Sequence, residues 1–247
     1  MAESRQGFSQ ETKILGVIGG MGPMATQLFF RKIVERTKAN RDQEHLNVLI
    51  WNHATMPDST EAILAENTKE LLTLLIDDAK CLQENGAAAI AIPCNTSHFF
   101  ADRIQEQLEI PIVNMIRETA KELRKRHGQL RKVGILATDG TIGMQMYQKA
   151  LSEQGIEPFI PCRENQKLVM KIIYGGVKAG GEINYDDFLS IENELKEAGC
   201  QAAIMACTEL SCFKDEYRLP SYYVDAMDVL CDRSIEICGK ETKGGCI

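Results

Sequence analysis

A chain of 247 residues with 44% hydrophobic side chains is long enough to bury a full core without disulfides or metals. Its formal charge of −7 excludes a nucleic-acid footprint. The densest basic run, Lys121 to Arg126, reads as the solvated end of a helix, where cations suit the macrodipole. No stretch approaches the roughly 18–20 apolar residues of a membrane helix. The polar start, Met1 to Lys13, lacks a secretory apolar region, so a disordered lead over residues 1–12 and a cytoplasmic location are expected, with no membrane or nucleic-acid partner.

Taken in chain order, Ile14 to Ile18 reads as a strand and Ala25 to Lys38 as a helix. Val48 to Asn52 (strand), Lys69 to Asn85 (helix) and Ala87 to Ile92 (strand) follow, then Asp102 to Leu108 (helix), Ile110 to Asn114 (strand) and Arg117 to His127 (helix). Alternation of this kind predicts an α/β fold with parallel sheets. A second unit opens at Lys132-Val-Gly-Ile-Leu-Ala-Thr138, which resembles Lys13-Ile-Leu-Gly-Val-Ile-Gly19, and Leu219-Pro220 to Val224 echoes Ile110-Pro111 to Val113. Two pseudo-symmetric α/β lobes are therefore expected, over residues 13–116 and 117–247, with the active site between them. The C-terminal helix is free to pack back on the first lobe.

Two cysteines stand at matched places in these halves. Gly86-Ala-Ala-Ala-Ile-Ala-Ile-Pro-Cys94 and Gly199-Cys-Gln-Ala-Ala-Ile-Met-Ala-Cys207 align without a gap. Each is an apolar strand that follows a helix-ending glycine and finishes in a thiol. In parallel sheets, ligands bind beyond the carboxyl ends of strands, next to helix N-termini. There a thiolate is stabilised, and Asn95, Thr96 and Thr208 suit capping or anion binding. Two opposed thiols can remove and return one proton.

The other cysteines carry less information. Nine is an odd number without framework spacing, which predicts reduced thiols. Cys81, Cys162, Cys200, Cys231 and Cys238 read as small core hydrophobes. Cys207 with Cys212, or Cys94 with His98, lacks the Cys-x2-Cys pattern of a zinc site, so no metal is expected. Cys246 is followed by one residue, too few for a prenylation box.

Gly20-Met-Gly22-Pro-Met-Ala25 formally matches a dinucleotide fingerprint, but Asn52-His53 stands where an acidic residue should end the second strand. The glycines better serve close approach of backbone to a small anion.

Together, Gly19-Gly20-Met21-Gly22-Pro23 with Ala25-Thr26, Pro93-Cys94-Asn95-Thr96 with His98, and Cys207-Thr208-Glu209 resemble the cofactor-independent aspartate/glutamate racemase family. The likeness also takes in Arg41 to His45, Ala137-Thr138 with Gly140-Thr141, and Tyr174 to Gly180. It implies a homodimeric enzyme without pyridoxal phosphate or other cofactor, acting on a small amino acid, aspartate before glutamate. Cys94 and Cys207 would be the two bases. Met21, Asn52, Ser59, Asn95, Thr96, Thr138, Lys178 and Thr208 would bind substrate, and Gly22 and Glu209 would support them.

One departure bears on substrate. In Met56-Pro57-Asp58-Ser59-Thr60, Ser59 stands where aspartate-specific members carry an arginine, a bidentate carboxylate partner. A broader or non-acidic substrate range is the first alternative. Isomerisation or decarboxylation of small dicarboxylates, and catalytically inert amino-acid binding, are the others.

Overall fold

The computed structural model describes residues 13–126 and 128–244. The lead expected over residues 1–12, His127 and Cys246 lie outside the described residues. The first half runs β1 (Ile14–Gly19), α1 (Pro23–Arg36), β2 (Asn47–Asn52), α2 (Ser59–Leu64), α3 (Lys69–Glu84), β3 (Ala87–Ala91) and α4 (Ala101–Gln105). Then come α5 (Met115–Arg126), β4 (Lys132–Leu136), α6 (Asp139–Gly143), α7 (Met146–Glu153), β5 (Glu157–Phe159) and α8 (Arg163–Met170). The chain closes with α9 (Tyr185–Glu197), β6 (Ala202–Met205), α10 (Thr208–Tyr217), β7 (Tyr223–Asp225) and α11 (Ala226–Ile237).

These strands make two parallel sheets of one plan, ordered β2-β1-β3 and β5-β4-β6-β7. In each, the strand that opens a half lies in the middle and the strand leading to a cysteine lies beside it. The expected strand at 110–114 is reduced to one parallel bridge between Ile90 and Ile112. Pro111 lacks an N–H, so it can accept from Ile90 (2.9 Å) but not donate. The missed strand β5 contains Pro158, a residue that argues against a strand in sequence; β5 is an edge strand, where proline is tolerated.

A central core joins the sheets, with Leu15, Val17 and Ala91 from one side and Val133, Ile135 and Ile204 from the other. Each half adds its own cluster beneath its outer helices. α11 packs on α5 and returns to α1. Cys200, Cys231 and Cys238 are buried as expected, whereas Cys81 and Cys162 are exposed. Cys81 lies on α3 outside its apolar face, and Cys162 sits in the turn before α8.

Lys171–Lys178 continues α8 as a π-helical segment, which sequence periodicity did not foresee. Its wide turn is carried on by the bonds Ala179 N–H to Tyr174 O (3.1 Å) and Gly181 N–H to Gly176 O (3.0 Å). Such segments are rare and concentrate at functional sites. This one faces α10 and delivers Lys178 to the cleft between the sheets.

Candidate active site

Between the two sheets lies a cavity of ≈ 260 Å³, smaller than the roughly 300–1,000 Å³ of drug-sized sites. Its walls are the loop after β1, the start of α2, the ends of β3 and β6, the start of α10 and the π-helical segment. Cys94 and Cys207 line it together, each 6% exposed. Met21, Gly22, Ser59, Asn95, Thr96, Thr138, Lys178, Thr208 and Glu209 join them. Asn52 does not. It is exposed at the end of β2, an edge strand set one strand away from the β1 loop and two from β3.

The loop after β1 is built by glycine. Gly20 has φ +98°, and a Cβ there would lie 2.4 Å from the carbonyl carbon of His53. Its N–H donates to Thr26 Oγ1 (2.9 Å), folding the loop back onto α1. Pro23 then begins α1, as expected for a first-turn proline.

Around Cys94, the Ser97 hydroxyl lies 3.1 Å from Sγ and 3.2 Å from Met21 Sδ, and Ser59 Oγ lies 3.7 Å from Sγ. His98 fixes the loop from below. Its Nδ1–H donates to Cys94 O (2.8 Å) while Nε2 accepts from Met115 N–H (3.1 Å). Burial pushes the His98 pKa down, which favours the neutral ring. Both ring nitrogens are committed to backbone.

Around Cys207, the thiol donates to Glu209 Oε2 at 2.9 Å, and Thr208 Oγ1 lies 3.4 Å from the same oxygen. The expectation of lowered thiol pKa values is overturned. Burial pushes Cys94 up, with the Glu209 charge adding to it, against hydrogen bonds from the Ser97 side chain and N–H. Burial raises Cys207 well above the ordinary value, and here Glu209 is the next cause; the Glu209 N–H pulls the other way. Helix N-terminal donors are therefore present at both sulfurs, and desolvation outweighs them.

Asn95, Thr96 and Thr208 do not act as side-chain caps. Asn95 Oδ1 accepts from the Tyr147 hydroxyl (2.5 Å), and its buried Nδ2 has no acceptor among the described residues. Thr96 Oγ1 meets Thr138 Oγ1 and Thr141 Oγ1, each at 3.0 Å, so three buried hydroxyls knit the halves together under the cavity. Thr138 also caps α6 by accepting from Thr141 N–H (3.3 Å).

Lys178 reaches the cavity but is not free. Its Nζ lies 2.7 Å from Asp58 Oδ2 and 4.3 Å from the centroid of the Tyr174 ring. Burial favours neutral Lys178, yet the Asp58 bond and the charges of Glu209 and Asp58 raise its pKa above the ordinary lysine value. Asp58, Tyr174, Ser97 and Tyr147 were not assigned roles from sequence. The only signal for the first two was position inside segments already singled out, and their pairing crosses 116 residues.

Two thiols at equivalent strand ends line, together with polar side chains, one cavity of amino-acid size. The chain belongs to the Asp/Glu/hydantoin racemase family, whose model matches residues 18–233. The aspartate racemase of Picrophilus torridus is similar in structure, with 30% identity and a TM-score of 0.77 over 94% of this chain and 96% of that one. An aspartate racemase homologue of Pyrococcus horikoshii has 26% identity and a TM-score of 0.74, covering 92% of this chain and 99% of that one. In sequence, the broad specificity amino-acid racemase RacX of Bacillus subtilis is 25% identical over 228 residues, 90% of this chain and 96% of the relative. The protein is an isomerase of the racemase class.

Proposed function

We propose that the protein interconverts L- and D-amino acids by two-base proton transfer at Cα between Cys94 and Cys207, without an organic cofactor. The observation that carries this reading is the presence of both buried thiols in one small cavity, at equivalent ends of β3 and β6. The activities named for its relatives, aspartate and broad-range amino-acid racemisation, agree with it.

The starting state needs one thiolate. Glu209, 2.9 Å from Cys207 Sγ, is the group able to hold that thiol's proton when an ammonium-bearing substrate enters and favours negative charge nearby. Cys207 then removes the Cα proton while the Cys94 thiol supplies one to the opposite face. The enantiomer leaves, and the two sulfurs have exchanged states. The developing negative charge on the α-carboxylate calls for fixed donors. Asn95 Nδ2, which has no acceptor among the described residues, and the first N–H groups of α10 serve there.

Replacing either thiol by a hydroxyl, Cys94→Ser or Cys207→Ser, exchanges an acid-base group for a far weaker acid, and turnover in both directions should fall by about 10²–10⁴-fold. Solvent-deuterium incorporation at Cα and circular dichroism of the fold check this. Near-normal racemisation in either folded variant would sink the two-thiol reading, and a wild-type protein that binds amino acids without Cα exchange would make it an inert binder. A homodimer belongs to the same reading through family membership, and sedimentation equilibrium tests it.

A further inference from the structure

We propose that Ser97 is a positioning residue for Cys94: its single hydroxyl hydrogen is shared between Met21 Sδ and Cys94 Sγ, and it turns onto Cys94 once that sulfur has given up its proton. This rests on the racemase reading above and assigns to one of the two sulfurs a donor of its own.

The repeat that places the two thiols does not extend to what surrounds them. Aligned without a gap, Asn95, Thr96 and Ser97 after Cys94 fall on Thr208, Glu209 and Leu210 after Cys207. Cys207 is served by an acceptor, the Glu209 carboxylate at 2.9 Å, which favours the thiol at that sulfur. Leu210 is buried in the apolar core of the second half and offers no hydroxyl. At the matching place in the first half stands Ser97, in the 3-10 turn Thr96–Phe100, fully buried and outside the lining of the cavity. It does not face substrate, so its effect on the reaction passes through Cys94.

The geometry gives this hydroxyl two acceptors and one hydrogen. Ser97 Oγ lies 3.1 Å from Cys94 Sγ and 3.2 Å from Met21 Sδ. A thioether and a neutral thiol are both weak acceptors, so neither holds the hydrogen firmly while Cys94 is protonated. A thiolate is a charged acceptor, and charge-assisted hydrogen bonds are roughly twice as strong as neutral ones. Loss of the Cys94 proton therefore draws the hydroxyl from Met21 to Cys94 by rotation about one bond, and no proton leaves the serine. Burial pushes the Cys94 thiol up, and the Ser97 side chain heads the groups that pull it down. Ser59 Oγ, at 3.7 Å, is the other side chain within hydrogen-bond reach of Sγ among the described residues. Asp58, Lys178, Cys207 and Glu209 share the cavity, and His98 lies beneath on Cys94 O, but none of them bonds to Sγ. In the proposed cycle the Cys94 thiolate arises each time that sulfur delivers its proton to Cα, and Ser97 holds it until the reverse transfer.

The test is alkylation of both sulfurs by iodoacetamide from neutral to alkaline pH, read for each cysteine by peptide mass spectrometry. Ser97→Ala should move the midpoint of Cys94 reactivity up by about one pH unit and leave that of Cys207 in place. No shift at Cys94, or an equal shift at both sulfurs, overturns the proposal. Met21→Leu is close in volume and removes the competing acceptor, so there the Cys94 midpoint should fall. An unchanged or raised midpoint overturns the sharing, even where Ser97→Ala does not fold. Solvent-deuterium exchange at Cα, on the amino acid that the wild-type protein turns over best, is the second readout. In Ser97→Ala, kcat/KM should fall about tenfold at neutral pH, with its rising limb displaced to higher pH. A fall without that displacement reduces Ser97 to packing and overturns the proposal, whereas no Cα exchange by the wild-type protein overturns the racemase reading itself.

Discussion

Glu209 acts on both sulfurs of the cavity. Its carboxylate lies against Cys207, and its charge acts on both thiols in the same direction, raising each after the larger effect of burial. A thiol whose pKa is raised stays protonated further up the scale, so the thiolate fraction grows with pH. On the two-thiol reading, kcat/KM should climb through the neutral range into the alkaline one. Glu209→Gln keeps the shape and removes the charge, so the rising limb should move to lower pH. The plateau should fall in the same variant, because an amide cannot take up the Cys207 proton. A pH profile of kcat/KM for both proteins checks this, and a limb that does not move would separate Glu209 from the thiols.

At the scale of elements, the loop after β1 is the part of the site most dependent on backbone conformation. Gly20 and Gly180 share a left-handed φ, +98° and +66°, but differ in surroundings. A Cβ on Gly20 would meet His53 backbone at 2.4–2.5 Å, while one on Gly180 meets nothing within 4 Å. Gly180→Ala should therefore cost only the conformational term, about 1–2 kcal/mol. Gly20→Ala adds an overpacking term of about 1–3 kcal/mol because backbone must shift. Thermal melts should rank the two in that order, with Gly20→Ala also losing activity; equal melting points would show that the loop moves freely. The alternation of helix and strand was legible because the buried strands are short apolar runs, and the two that lead to the cysteines follow a helix-ending glycine, as in Gly86 to Cys94. That same regularity exposed both thiols. What stayed hidden depends on distance in the chain or on local exceptions. The bond between Asp58 and Lys178 crosses 120 residues, the π-helical turns at 171–178 have no periodic signature, and Pro158 sits in a strand against its own propensity. The position of Asn52 was misread because the order of strands, which puts β2 at an edge, is not written in its own residues.

The whole molecule is closed by charges that α11 brings back to the first half. Asp225, Asp228 and Asp232 fall on one face of the chain's last helical stretch and meet Lys32 and Arg36 of α1 and Lys214 of α10. The shortest of these contacts are Lys32 to Asp228 and Arg36 to Asp232, both 2.6 Å, in surroundings that are largely buried. Asp228 lies within reach of Lys32, Arg36 and Lys214, and although burial opposes it, these cations hold its pKa below the ordinary carboxylate value. Asp225 behaves oppositely, raised by its complete burial and by the Asp228 charge. A carboxyl with a depressed folded pKa contributes stability that is present above its unfolded pKa and is lost as pH falls through the folded value. Asp228→Asn leaves Lys32 to Asp225 and Arg36 to Asp232 but takes from Lys32 and Lys214 their nearest carboxylate, and breaking a buried pair costs about 3–5 kcal/mol. At roughly 2–4 °C per kcal/mol for a chain of this size, the neutral-pH melting temperature should drop by on the order of 10 °C. As pH falls below the ordinary carboxylate range near ~4, wild-type Asp228 takes up its proton and the gap between the two proteins should close. Melts from pH 7 down to the acid limit of folding test this. A gap of unchanged size across that range would mean that Asp228 stabilises the molecule by shape rather than by charge.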